Sequence, residues 1–117
     1  MIKKYTVNLI NVKSKADLLY CFNKIFDFAY PPVDSEKTNA NWDSFDDSFQ
    51  SLDTESKTFI DDPDRDKITG IHLVLENYKA LDNIDPKDKK ILEEIIEKNT
   101  HKENRYDELD FSYEIKE

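Results

Sequence analysis

Asp43, Asp46 and Asp47 fall within the nine-residue segment Asn41-Trp42-Asp43-Ser44-Phe45-Asp46-Asp47-Ser48-Phe49, and they are the side chains in this sequence best spaced to do chemistry. Paired carboxylates have two uses. They can exchange protons around a breaking bond, which needs a concave pocket and unequal proton affinities, or they can present fixed negative charge to a cationic partner. At about 100° per residue, Trp42, Phe45, Phe49 and Leu52 cluster on one side of a helix. Asp43 and Asp47 then point outward, roughly 140° from the middle of that apolar arc, with Asp46 and Gln50 on the flank between. Carboxylates on the solvent side of a helix suit the second use. Asp43 and Asp47 also form a like-charge i, i+4 pair that costs a few tenths of a kcal/mol, offset in part by the helix dipole. A local cost without local compensation points to a partner.

The rest of the chain narrows that partner. From Asp43 to Asp66 there are nine acids against two bases, Lys57 and Arg65, so this segment carries −7 of the net −9. Such a charge repels nucleic acid and anionic lipid, so the expected partner is a basic protein, with no nucleic acid and no membrane involved. Gly70 is the only glycine, which leaves no way to write a P-loop or a GxGxxG turn. Cys21, His72 and His101 are the only thiol and imidazole groups and lie far apart in sequence, so no zinc site and no Cys/His nucleophilic pair is expected. Cys21 reads as packing on an apolar helix face, and His72, inside an apolar strand, as a core histidine. Asp62, Asp64 and Asp66 begin like a calcium loop, but Lys67 stands in its glycine slot and Leu73 in the place of its bidentate glutamate. The expectation is a binding protein with no cofactor, no metal and no catalytic activity.

These side chains need elements to position them. Leu, Ile, Val and Phe supply 31 of 117 residues, enough for one compact domain over 1–117. Alternation from Tyr5 to Ile10 predicts a first strand. Ser14 with Asp17 resembles a capping box, and Leu18, Leu19, Phe22, Ile25 and Phe26 predict a helix over 15–28, stopped by Pro31-Pro32. Asn41 can N-cap the acidic helix. Residues 52–69 read as an acidic surface insertion anchored by Phe59-Ile60. Ile71 to Leu75 is a continuous apolar run of the kind that doubly covered parallel strands show. Asp85-Pro86 opens a helix over 86–98 with a stripe of Ile91, Leu92, Ile95 and Ile96, and Leu109 to Ile115 alternates as a third strand. Helical crossovers between successive strands favour parallel pairing, giving an α/β fold with a small three-stranded parallel sheet and about four helices. An N-terminus without the long apolar stretch of a signal peptide and a single cysteine lead to the expectation of a soluble, cytoplasmic protein.

The segment Asn41 to Phe49 resembles the second-helix signature of the barstar family, N-[LW]-D-[AS]-[LF]-x-D, and Leu73-Val74-Leu75-Glu76 resembles that family's second strand. The element order agrees as well. The resemblance implies a barstar-like fold and an immunity protein that inserts its second helix and the preceding loop into the cationic active site of a ribonuclease toxin; the sequence demands no more than a monomer or a 1:1 complex. By position, Asp43 and Asp47 match the family's two inhibitory aspartates. Asp46 stands where the family has a tryptophan, replacing an aromatic contact with a third acid. Tyr30 is nearest to the contact tyrosine before the helix, across a longer loop. Asn39 falls where the family has glycine, a position that accepts asparagine if the backbone is left-handed. Glu97 corresponds to a peripheral acidic contact, and Trp42 either closes the core or flanks the binding surface. The alternative is an acidic adaptor of the same fold with a basic partner that is not a nuclease.

Overall fold

The computed structural model describes residues 1–28, 31–34, 36–52, 58–105 and 109–117. Three strands, β1 (Ile2–Asn8), β2 (Gly70–Glu76) and β3 (Asp110–Ile115), form a parallel sheet in the order β1-β2-β3. Between β1 and β2 run α1 (Lys15–Phe26) and α2 (Trp42–Gln50); between β2 and β3 run a 3-10 helix (Tyr78–Asn83) and α3 (Pro86–Asn99). This is the small α/β architecture expected; among the described residues, two single-turn 3-10 helices, Arg65–Lys67 and Lys102–Asn104, add to these elements. None of the described helices is long and apolar enough to cross a membrane.

The strand boundaries differ from those predicted by alternation alone. β1 starts at Ile2 because Ile2, Lys3 and Lys4 pair in register with Gly70, Ile71 and His72, a long-range partner that no local pattern reveals. It ends at Asn8, whose side-chain oxygen accepts the Ile10 N–H at 3.0 Å and the Asn77 amide at 2.8 Å, turning the chain away. Ile10 is therefore exposed, while Leu9, which still donates to the Glu76 carbonyl, is fully buried.

The sheet is covered on one face rather than two. Tyr5, Val7, Ile71, Leu73, Leu75 and Phe111 turn toward the helices and belong to or pack on the core. Ile2, Lys4, Thr6 and Asn8 on β1, and Asp110, Ser112 and Glu114 on β3, are exposed on the other side. The continuous apolar look of β2 comes from Val74, which is buried yet lies outside the core cluster, flanked in register by Thr6 and Glu114. His72 shares this open face and is not a core residue. Its Nδ1 lies 2.8 Å from Ser112 Oγ and its Nε2 3.3 Å from a Glu114 carboxylate oxygen.

Capping fixes α1 at both ends. Ser14 Oγ accepts the Asp17 N–H, and Asp17 reaches back to the Lys13 N–H, a capping box displaced by one residue. The helix stops at Phe26, two residues before the predicted end, because Asp27 adopts a left-handed conformation (φ 47°) and donates its N–H to the Asn23 carbonyl. Phe28 then folds back to stack on Phe26 at 5.6 Å.

The described part of the acidic insertion is tied down rather than loose. Phe59 is fully buried against Tyr5, and the Thr58 hydroxyl donates to the Phe26 carbonyl. Of the pair Phe59-Ile60 only Phe59 is an anchor, since Ile60 is exposed; Leu52 and Ile68 at the two ends of the segment are buried as well. Asp62 pairs with Lys3 of β1 at 2.7 Å and accepts the Asp64 N–H. The Lys3 hydrogen bond, with that amide, holds the Asp62 carboxyl below its ordinary value, and the same bond raises Lys3. A carboxyl depressed on folding stabilises the protein above its unfolded pKa near 4 and loses that contribution as pH falls through the lower folded value. Thermal melts of wild-type and Asp62→Asn chains should therefore differ at pH 7, with the variant melting lower, and converge toward pH 2.

Candidate functional site

The acidic helix is built by its apolar side. Phe45 and Phe49 are fully buried and stack on each other at 5.5 Å. Phe22 of α1 meets Phe45 edge-on at 5.1 Å, and Phe111 of β3 meets Phe49 edge-on at 5.1 Å. Such pairs contribute roughly 0.5–1.5 kcal/mol each beyond their buried area, and they set the rotation of α2 about its axis. At its start, the Asn41 side-chain oxygen accepts the N–H groups of Asp43 and Ser44 at 2.9 and 3.2 Å, satisfying two of the four free first-turn donors.

The loop before the helix is also held. Val33 and Ala40 form an antiparallel bridge, and the Asn41 N–H donates to the Pro32 carbonyl at 2.6 Å. Asp34 accepts from the Thr38 hydroxyl and from the Thr38 and Glu36 N–H groups, which holds its carboxyl below the usual range. Lys37 lies over the Tyr20 ring at 4.7 Å, tying the loop to α1. Asn39 is exposed, and its carbonyl accepts the Asp34 N–H. Among the described residues of this loop the left-handed one is Lys37 (φ 61°), not Asn39, because the turn closes on the Asp34 side chain. Tyr30 lies outside the described residues.

The three aspartates occupy different environments. Asp43 and Asp47 are exposed, and among the described residues neither carboxylate has an ion pair or hydrogen bond. Asp46 is half-buried, and its Oδ2 accepts from Lys98 Nζ of α3 at 2.8 Å. Its Oδ1 is shut off from solvent without a hydrogen-bond partner among the described residues. Trp42 packs into the core as one of its two expected roles requires. Its ring packs edge-on against Phe45 at 5.5 Å, its Nε1–H donates to Asp88 of α3 at 3.0 Å, and its remaining surface lines a groove.

That groove, of about 380 Å³, runs between α2 and α3 and is bordered by Trp42, Asp43 and Asp46 on one side and Ile91, Glu94, Ile95 and Lys98 on the other. On α3, residues 91, 94, 95 and 98 share one helical face by their i, i+3, i+4, i+7 spacing, a signal present in the sequence. Glu97 does not join the groove. It lies in an adjoining depression with Glu93 and His101, and its Oε2 accepts from the Tyr113 hydroxyl at 2.9 Å. That bond, together with burial, raises the Tyr113 phenol.

Two further groups bear on the site. Arg105, buried, donates to Asn99 Oδ1 at 2.9 Å and to the Leu52 carbonyl at 3.0 Å, joining the chain just past α2 to the end of α3. Sequence gave no sign of it, since an arginine in a charged stretch reads as surface. Cys21 is half-buried, and burial pushes its thiol up, away from nucleophilic use. Among the described residues no cluster of His, Cys, Asp and Glu could hold a metal ion.

No protein-family model matches the chain, and neither a curated protein nor a solved structure matches it.

Because the Asn41 cap orients the first turn carrying Asp43, Asn41→Ala should lower stability by about 0.5–2 kcal/mol in urea denaturation, while Asn41→Asp stays close to wild type.

Proposed function

We propose that this chain is a barstar-like inhibitor, an immunity protein that binds a basic ribonuclease toxin and occludes its active site with the acidic face of α2. The observation that carries this reading is the pair Asp43 and Asp47: exposed, one helical turn apart, and without an internal counter-charge among the described residues. A folded chain that keeps a like-charge pair uncompensated on a rigid, capped helix presents it at no cost of rearrangement. An RNA-cleaving site must hold cations where substrate phosphates bind, and two carboxylates on a rigid helix imitate those phosphates in charge and in acceptor geometry.

The reading has a kinetic side. The net charge of −9 draws a basic partner over a Debye length of about 8–10 Å, so association is fast and slows with salt. Desolvated acid–guanidinium pairs then slow escape. Asp46 contributes differently from the other two, since Lys98 already occupies it.

The test is a titration of this protein into an RNA-cleavage assay of a basic ribonuclease encoded beside its gene, at low and high salt. Stoichiometric inhibition with salt-sensitive association is expected. Asp43→Ala with Asp47→Ala should abolish inhibition while changing stability by no more than about 0.5 kcal/mol, as for exposed surface positions. Equal inhibition by the double variant removes the site assignment, and binding without inhibition favours the acidic adaptor.

A further inference from the structure

The groove between α2 and α3 is not uniformly acidic. Its apolar floor is Trp42, Ile91 and Ile95; its acids are Asp43, Asp46 and Glu94; and Lys98 stands among them as a single cation. The Lys98 ammonium has three N–H donors. Among the described residues its one ion-pair partner is Asp46, and its side chain remains 36% exposed. Of the Asp46 carboxylate, Oδ1 is closed to solvent, so the oxygen already bonded to Lys98 is the one within reach of a partner. At this point the acidic surface also offers ammonium donors.

We propose that Lys98 is a specificity-determining residue of the binding surface, selecting a partner whose cationic centre is bordered by a carboxylate. The inference rests on the inhibitor reading given above. Docking removes water from the groove, and each N–H of Lys98 left without an acceptor then carries a desolvation cost. A surface that is cationic throughout also sets its own charge against the ammonium. A carboxylate opposite Lys98 removes both penalties, while Asp43 and Asp47 engage the neighbouring cations. Lys98 thus rejects indiscriminately basic surfaces that the −9 charge would otherwise attract, which is discrimination by a repulsive element.

The experiment compares wild type, Lys98→Met and Asp46→Asn for binding to the ribonuclease used in the inhibition assay and to a nona-arginine peptide as a uniformly cationic probe. Lys98→Met keeps the length and packing of the side chain, and Asp46→Asn breaks the same bridge while keeping the ammonium. The expected result for Lys98→Met is about tenfold weaker ribonuclease binding, seen mainly in the dissociation rate, with tighter binding of nona-arginine. Asp46→Asn removes an acid of the binding surface but keeps the ammonium, so it should bind nona-arginine no more tightly than wild type. Equal ribonuclease affinity for wild type and Lys98→Met overturns this inference alone. Tighter nona-arginine binding by Asp46→Asn as well as by Lys98→Met also overturns it, because the bridge would then act only by holding α2 to α3. Failure of the wild-type chain to bind overturns the inhibitor reading and this inference with it.

Discussion

The stacking of phenylalanines beneath α2 is the interaction on which the rest of the molecule depends. Phe45 and Phe49 touch each other and, through Phe22, Phe26, Phe28 and Phe111, reach α1, the chain after it and β3. A short nine-residue helix has little stability of its own. It exists because its aromatic side is packed into the shared core of the molecule. The same packing holds the helix at one rotation, so the carboxylates opposite have no freedom to roll toward internal cations. The acidic face is a consequence of the aromatic one.

Around that helix the polar connections are sparse and specific. Asn41 holds its first turn, Lys98 and Asp88 reach it from α3, and Arg105 secures the chain just past its end. Lys98 and Arg105 answer different needs. Arg105 is buried and donates to a backbone carbonyl, so its role is internal. Lys98 remains partly in water, where its charge is felt by whatever approaches. The open sheet face is a separate region, with its own cross-strand cluster of His72, Ser112 and Glu114.

Much of this was legible in the sequence because it is written locally. The Asn41 cap, the Asp85-Pro86 start of α3 and the 3.6-residue spacing of the phenylalanines are short-range signals, and each element appears where they place it. What was not legible depends on partners distant in the chain. The first residues of β1 become strand only because Gly70 to His72 lie beside them, and a run such as Ile71 to Leu75 reads the same whether one face or both are covered. His72 was misplaced for that reason. For the site, the outward direction of Asp43 and Asp47 follows from periodicity. The capture of Asp46 by Lys98 joins residues on different helices, and no spacing along one helix reveals it.

The pairing of Ile2 with Gly70 has a consequence for how the molecule comes into being. Both α1 and α2 lie within the stretch of chain that this pairing closes. Closing so long a loop must precede the reward of the contacts it brings, so parallel sheets of this kind form slowly. A nascent chain emerging at roughly 5–20 residues per second therefore carries the acidic helix for about 1–5 seconds before β2 is available to complete the sheet beneath it. The acidic surface is a late product of synthesis, and a chain cut short before Gly70 has every aspartate of α2 but lacks β2, β3 and α3, the elements that support and flank it.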